Sequence, residues 1–255
     1  MRALVTNDDG VDSHGISVLA RVAYEAGLDV VVAAPHQERS GASASLTALQ
    51  HDGRLAVSQH DFPDLPGIEV NAVEASPALI SFVAASGAFG PPPDIVLSGI
   101  NHGPNTGHAI LHSGTVGAAL TGATHETLAL AVSLATNNPR NWDTAELVTR
   151  HALEWILANG TPGAVLNVNS PDIPPGELKG VRAASLAKFG AVQANIGEAA
   201  AGFVSVTFTE IHVEDPDDSD ETDAVLLTRG WATATALRAP FEAVDVDLST
   251  IHWTR

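Results

Sequence analysis

A chain of 255 residues, 45% hydrophobic and 16% charged, can bury a sizeable core as one large α/β domain or as one domain with an appendage, and is not composed like a disordered segment. It contains no cysteine, which excludes disulfide frameworks, thiolate catalysis and Cys-ligated zinc. A formal charge of -18, with only 12 Lys and Arg, disfavours a nucleic-acid polymer as partner, and no apolar run reaches the roughly 20 residues of a spanning helix. The N-terminus reads as neither signal peptide nor membrane span, so a cytoplasmic protein without a membrane partner is expected.

In chain order, Leu4-Val5 begins a first strand that ends at Asp8, Asp9 and Gly10. Ile16, Leu19, Ala20 and Ala23 recur at helical spacing and Gly27 stops that helix. Val30 to Ala34 is a continuous apolar run closed by Pro35, the form of a strand covered on both faces. Ser76-Pro77 reads as the N-cap and first turn of a helix carrying Leu79, Ile80 and Val83. After the break at Pro91-Pro92-Pro93, Asp94 to Ser98 is a buried strand. A helix over Val116 to Gly122, a strand over Leu128 to Ser133, a helix containing Val148, Ala152, Trp155 and Ile156, and a strand over Ala164 to Val168 complete the alternation. Strand and helix in alternation predict a Rossmann-like, doubly wound α/β fold with a mainly parallel sheet.

Beyond Pro171 the rhythm changes. Pro174, Pro175 and Gly176 interrupt it, and Val204, Val206 and Phe208 alternate with Ser205, Thr207 and Thr209 as in a strand with one wet face. Residues 1–175 are therefore expected to form the main, Rossmann-like domain. Residues 176–255 are read as a hairpin and C-terminal extension that packs on that domain or on a second subunit. Between Glu210 and Asp223 lie eight acids (Glu210, Glu214, Asp215, Asp217, Asp218, Asp220, Glu221 and Asp223) and no Lys or Arg, which reads as a solvated loop.

In a doubly wound sheet the ligand sits beyond the carboxyl ends of the strands, where strand order reverses. Asp8 and Asp9 follow the first strand, Ser40 lies shortly after the second, and Asn101 comes three residues after the Asp94 to Ser98 strand. Two carboxylates, a hydroxyl and an amide are the donors that hard cations such as Mg²⁺ and Mn²⁺ take. Each has a plainer reading as well: Asp-Asp-Gly as a turn, Ser40 as a helix N-cap, Asn101-His102-Gly103 as turn chemistry. The segment Ser113 to Ala119 has the form of a small-residue loop opening a helix, where free N–H groups favour an anion without any lysine; tight packing of that helix on a strand is the alternative. No Gly-Lys-Ser/Thr and no G-x-G-x-x-G after the first strand is present. His102, His108 and His112 fall near these loops without the spacing of a zinc helix.

Taken together, Thr6-Asn7-Asp8-Asp9-Gly10, then Ala34-Pro35 to Glu38-Arg39-Ser40-Gly41, then Ser98-Gly99-Ile100-Asn101-His102-Gly103 with Asn105 and Gly107, then Ser113 to Ala119, resemble the SurE family of metal-dependent nucleotidases. The resemblance implies one divalent cation, Mg²⁺ or Mn²⁺, held by Asp8, Asp9, Ser40 and Asn101, with Asp8 and Asp9 as the catalytic acids. It implies phosphate and substrate contacts at Asn7, Gly41, Asn105, Ser113, Gly114 and Thr115. The expected reaction is removal of phosphate from nucleoside 5′-monophosphates, with 3′-monophosphates as further substrates, by a cytoplasmic homodimer or homotetramer that exchanges C-terminal elements. Another small phosphoester, a short polyphosphate, or nucleotide binding without turnover are the alternatives. The chain departs from the family pattern at His36-Gln37, at Ala75 to Ile80, at His112 and at Thr121, positions that bear on substrate preference and oligomer contacts.

Overall fold

The computed structural model describes residues 1–48, 50–188, 192–200, 203–210 and 221–239. Its strands and helices run β1 (Arg2–Thr6), α1 (His14–Glu25), β2 (Asp29–Pro35), β3 (Gln50–His51), β4 (Arg54–Leu55), β5 (Val57–His60), β6 (Glu69–Val73), α2 (Pro77–Ala85), β7 (Ile95–His102), α3 (Gly114–Ala123), β8 (Leu128–Leu134), α4 (Trp142–Asn159), β9 (Val165–Ser170), β10 (Val181–Ala183), β11 (Val192–Ala200), β12 (Phe203–Glu210), α5 (Asp223–Thr228) and β13 (Ala232–Leu237). A 3-10 turn, Gly107–His112, precedes α3.

Nine strands form one sheet in the order β10-β13-β9-β8-β7-β1-β2-β6-β5. From β9 to β6 the strands are parallel; β5 and β13 join antiparallel to β6 and β9. The Rossmann-like expectation is met, and the reason is visible in the alternation of each strand. Ala3 and Val5 of β1 enter the core beneath α1 and α4, whereas Leu4 enters the opposite core against α2. Because both faces are covered, the central strands read as unbroken apolar runs. The chain leaves β1 toward β2 and β6, then crosses back to place β7 on the other side of β1, so the order reverses between β1 and β7. That crevice is where such a sheet presents a ligand site.

Several sequence expectations shift in register. The strand expected over Asp94 to Ser98 continues to His102, because pairing with β8 slips between Ser98 and Asn101 and then resumes with Asn101 opposite Ser133. Gly99 makes the slip possible: at φ +134, a Cβ there would lie 2.3 Å from the Val132 carbonyl oxygen. Asn101 is thus the end of a strand, not part of a loop beyond it. Ser76 precedes α2 as expected, but its Oγ bonds Ser45 O and Thr47 N instead of capping the helix. Trp155 lies on the expected helix, α4, and is 53% exposed.

C-terminal to residue 175, β11 and β12 pair as an antiparallel hairpin, whereas β10 and β13 join the nine-stranded sheet. Val204, Val206 and Phe208 fall on β12 as expected of a strand, and residues 211–220 of the acidic run lie outside the described residues. Asp223 corrects the reading of that run as solvated, because it is fully buried. Among the described residues no helix is long and apolar enough to cross a membrane.

Candidate active site

The last residue of β1 is buried Thr6, and the chain turns sharply after it. The Asn7 side chain spans this turn, its Nδ2 donating to Gly10 O at 2.9 Å and Ser13 Oγ at 2.7 Å. Asn7 therefore shapes the loop that carries the acids, and its buried Oδ1 has no hydrogen-bond partner.

Asp8, 3% exposed, points at the start of α3. The Thr115 hydroxyl donates to its Oδ1, and the Thr115 and Gly114 amides bond to the same carboxylate. Burial pushes the Asp8 carboxyl above its ordinary value, with these hydrogen bonds and the residue's own amide opposing. Gly114 is required by contact: a Cβ there would stand 2.7 Å from Asp8 Oδ2 and 2.8 Å from Asp8 Cβ. Ser113 caps α3, its Oγ accepting from Val116 N at 3.0 Å. The helix start read from the sequence as open to an anion is met in this structure by a side chain of the chain itself, the Asp8 carboxyl.

Asp9 accepts from the His102 amide at 3.1 Å through Oδ2. Its carboxyl is pushed up to about 7, first by burial and then by the Asp8 charge, with the His102 bond opposing and Glu38 adding. Asn101 completes the inner group. Its Nδ2 donates to His102 O at 3.1 Å and Gly103 O at 2.8 Å, which turns Oδ1 toward Thr115 Oγ1 at 3.2 Å and so toward Asp8. The strand slip in β7 is what brings this amide level with the β1 acids.

Ser40 lies in an exposed loop pinned to the site by the Arg39 amide, which donates to Asp8 O at 2.7 Å. Ser40 shares a cavity of about 570 Å³ with Asp9, Asp12, Ser13, Glu38, His102 and Asn137, and its Oγ donates to Glu38 Oε1 at 2.6 Å. Gly41 is exposed at a positive φ beside it. Asn105 stands behind the site: its Nδ2 donates to Ser133 Oγ at 2.8 Å, its amide to Asn169 Oδ1 at 2.7 Å, and its carbonyl accepts from Asn167 and Asn169. His108 and His112 are exposed on the 3-10 turn.

The His102 imidazole, lowered in pKa by burial first, packs 5.5 Å from the Trp142 ring, which meets His14 edge-on at 4.8 Å. This aromatic wall, and the burial of Asn105 in a polar group with Asn167, Asn169 and Ser133, were not anticipated. Two asparagines inside the apolar β9 run were the available signal.

The donor set fits a hard cation. Two adjacent acids that burial and mutual repulsion keep from ionising freely lie beside an amide oxygen freed by its own loop. Among the described residues no group of three or more His, Cys, Asp and Glu side chains converges, so neutral oxygens would have to complete the shell.

The model of the survival protein SurE family matches residues 3–193. A protein named 5′-nucleotidase SurE from Methylococcus capsulatus is 40% identical over 187 residues, 73% of this chain and 70% of that one. Another of that name from Dehalococcoides mccartyi is 33% identical over 260 residues, covering 98% and 96%. The crystal structure of the SurE protein from Aquifex aeolicus superposes with a TM-score of 0.79 at 26% identity, covering 98% of each chain. With the acid pair at the β1/β7 switch point, the α3 start and this family match in agreement, the chain belongs to the SurE family.

Proposed function

We propose that this chain is a divalent-metal-dependent phosphomonoesterase that removes phosphate from nucleoside 5′-monophosphates, with 3′-monophosphates as secondary substrates. The observation that carries the reading is buried Asp8, set against the N-terminus of α3, beside half-buried Asp9, which the His102 amide holds. The names of the relatives support the nucleotide as substrate.

Asp8, Asp9, Asn101 and Ser40 would hold Mg²⁺ or Mn²⁺, which when bound neutralises charge at phosphorus and acidifies water. The residues themselves supply the rest. Thr115 Oγ1 and the Gly114 and Thr115 amides keep Asp8 in one orientation, so little reorganisation accompanies the reaction. The partial positive charge at the start of α3 thus serves to hold Asp8. Asp9 Oδ2 is fixed by the His102 amide, which leaves Oδ1 to take a proton from an attacking water. Glu38 and Asp12 line the outer cavity and discourage substrates that carry further negative charge.

The test is phosphate release from the four ribonucleoside 5′- and 3′-monophosphates, with ribose 5-phosphate and a short polyphosphate alongside, across several divalent cations. Release from the 5′-nucleotides that chelation and Asp8→Asn both abolish is expected. Full activity of chelator-treated Asp8→Asn protein sinks the assignment, and faster release from ribose 5-phosphate than from any nucleotide removes the nucleotide from it.

A further inference from the structure

We propose that Asp223, a residue of the C-terminal part of the chain, is a positioning residue for the phosphate site; the inference rests on the phosphomonoesterase reading above. Asp223 opens α5 and is fully buried. Its Oδ2 accepts from the Gly107 amide at 2.9 Å; its Oδ1 accepts from the Ala187 amide at 2.9 Å and the Ala224 amide at 2.8 Å. One carboxylate therefore ties three separate stretches of chain together.

The stretch containing Gly107 leads directly to the site. Upstream, Asn105 is locked through its amide, carbonyl and side chain to Ser133, Asn167 and Asn169 at the ends of β8 and β9. Downstream, the 3-10 turn Gly107–His112 delivers Ser113, the cap of α3, and then the Gly114 and Thr115 groups that hold Asp8. Gly107 is the hinge between the locked asparagine and the helix start, and Asp223 fixes it from the other side.

A carboxylate suits this role because three amides converge on it as donors and it has two oxygens that only accept. An asparagine of the same shape has one such oxygen. Whichever way it turns, its NH₂ faces at least one N–H, so either the Gly107 or the Ala187–Ala224 arm is lost. Loss of the Gly107 arm frees the turn to shift, and a shift on the order of 1 Å in a catalytic group costs about 100-fold in rate.

The experiment compares Asp223→Asn with Thr235→Val. Thr235 braces the same C-terminal segment, its Oγ1 donating to Ala184 O at 3.1 Å, but does not touch Gly107. With saturating Mn²⁺ and a nucleoside 5′-monophosphate, Asp223→Asn should lower kcat by about 10- to 100-fold with KM within about twofold of wild type. Thr235→Val should lower Tm while kcat stays within about twofold. Hydrogen exchange of the wild-type protein should show the Gly107 amide protected to the same degree as Ala187. Wild-type kcat in folded Asp223→Asn, a kcat loss in Thr235→Val that follows its Tm loss, or a rapidly exchanging Gly107 amide overturns the proposal. If Asp223→Asn does not accumulate as folded protein, Asp223→Ser is read the same way. A wild-type protein that releases no phosphate defeats the reading of the site itself, and the Gly107 exchange then decides the tie alone.

Discussion

Replacing Asp9 by Asn should stabilise the metal-free protein while destroying its response to cation. Burial and the neighbouring Asp8 move the Asp9 carboxyl from 3.8 to about 7, so the folded protein binds a proton there about a thousandfold more tightly than the unfolded chain. At 1.36 kcal/mol per tenfold, ionising this group in the fold costs ~4 kcal/mol above pH 7 as an upper bound. Water in the adjoining cavity screens part of that, and we expect about 1–2 kcal/mol to remain. The sign follows from proton binding. Between 3.8 and about 7 the folded state holds more protons than the unfolded one, so metal-free stability falls as pH rises through this window and levels off above it. Asn presents no charge and its Oδ1 still accepts the His102 amide. The assay is thermal unfolding of chelator-treated protein at pH 5 and pH 8. Wild type should lose stability between the two; Asp9→Asn should lose less and exceed wild type at pH 8, a Tm difference of about 2–4 °C per kcal/mol for a chain of this size. Added Mn²⁺ should raise wild type and leave the variant unchanged. A variant less stable than wild type at pH 8 without metal would refute the account of a repelling acid pair.

Gly114→Ala should displace Asp8, since the new Cβ would lie 2.7 Å from its Oδ2, and the cation concentration for half-maximal phosphate release should rise by about tenfold or more. Asn101→Asp removes the two hydrogen bonds its Nδ2 gives to His102 O and Gly103 O, sets a carboxylate oxygen against those carbonyls and adds a third charge beside the acid pair. It should cost about 1–3 kcal/mol in metal-free denaturant unfolding and abolish turnover; unchanged stability would contradict the orientation assigned to this amide. Glu146 is pushed up by burial but held lower overall by hydrogen bonds from Arg150 within α4, at 2.6 Å, and from Arg21, the second of which joins α1 to α4. Its contribution is present above 4.5, its unperturbed value, and is lost as pH falls below that. Glu146→Gln should therefore cost roughly 1 kcal/mol at pH 7 and little in acid, as read by thermal unfolding at both pH values.

The sheet was legible because its signals are local and repeated: apolar runs of strand length, helical spacing between them, and turn residues at the joints. The acid pair was legible because strand ends of a doubly wound sheet converge by topology, so positions far apart in sequence could be assigned to one crevice. What the sequence concealed depends on atoms that no pattern orders. That Asn101 ends a strand follows from a slipped register at Gly99, and that Asp8 itself leans on the start of α3 follows from the lack of a side chain at Gly114. Asp223 was hidden by its neighbours, since an acid among acids reads as solvated until the amides that meet it are known.

The two asparagines of β9 have a consequence for how the chain finds this fold. Leu166 and Val168 turn toward the α4 side of the strand, where with Trp155 they line an apolar groove of about 740 Å³, while Asn167 and Asn169 turn toward Asn105. Slipping β9 by one residue would drive two amides into oil and two aliphatic side chains against a ring of polar groups, a double penalty that no neighbouring register escapes. The asparagines thus act as an address. They tell β9 which residue of β8 to sit beside, and in doing so fix the height at which the segment leading to α3, and the acid it steadies, meet the end of β1.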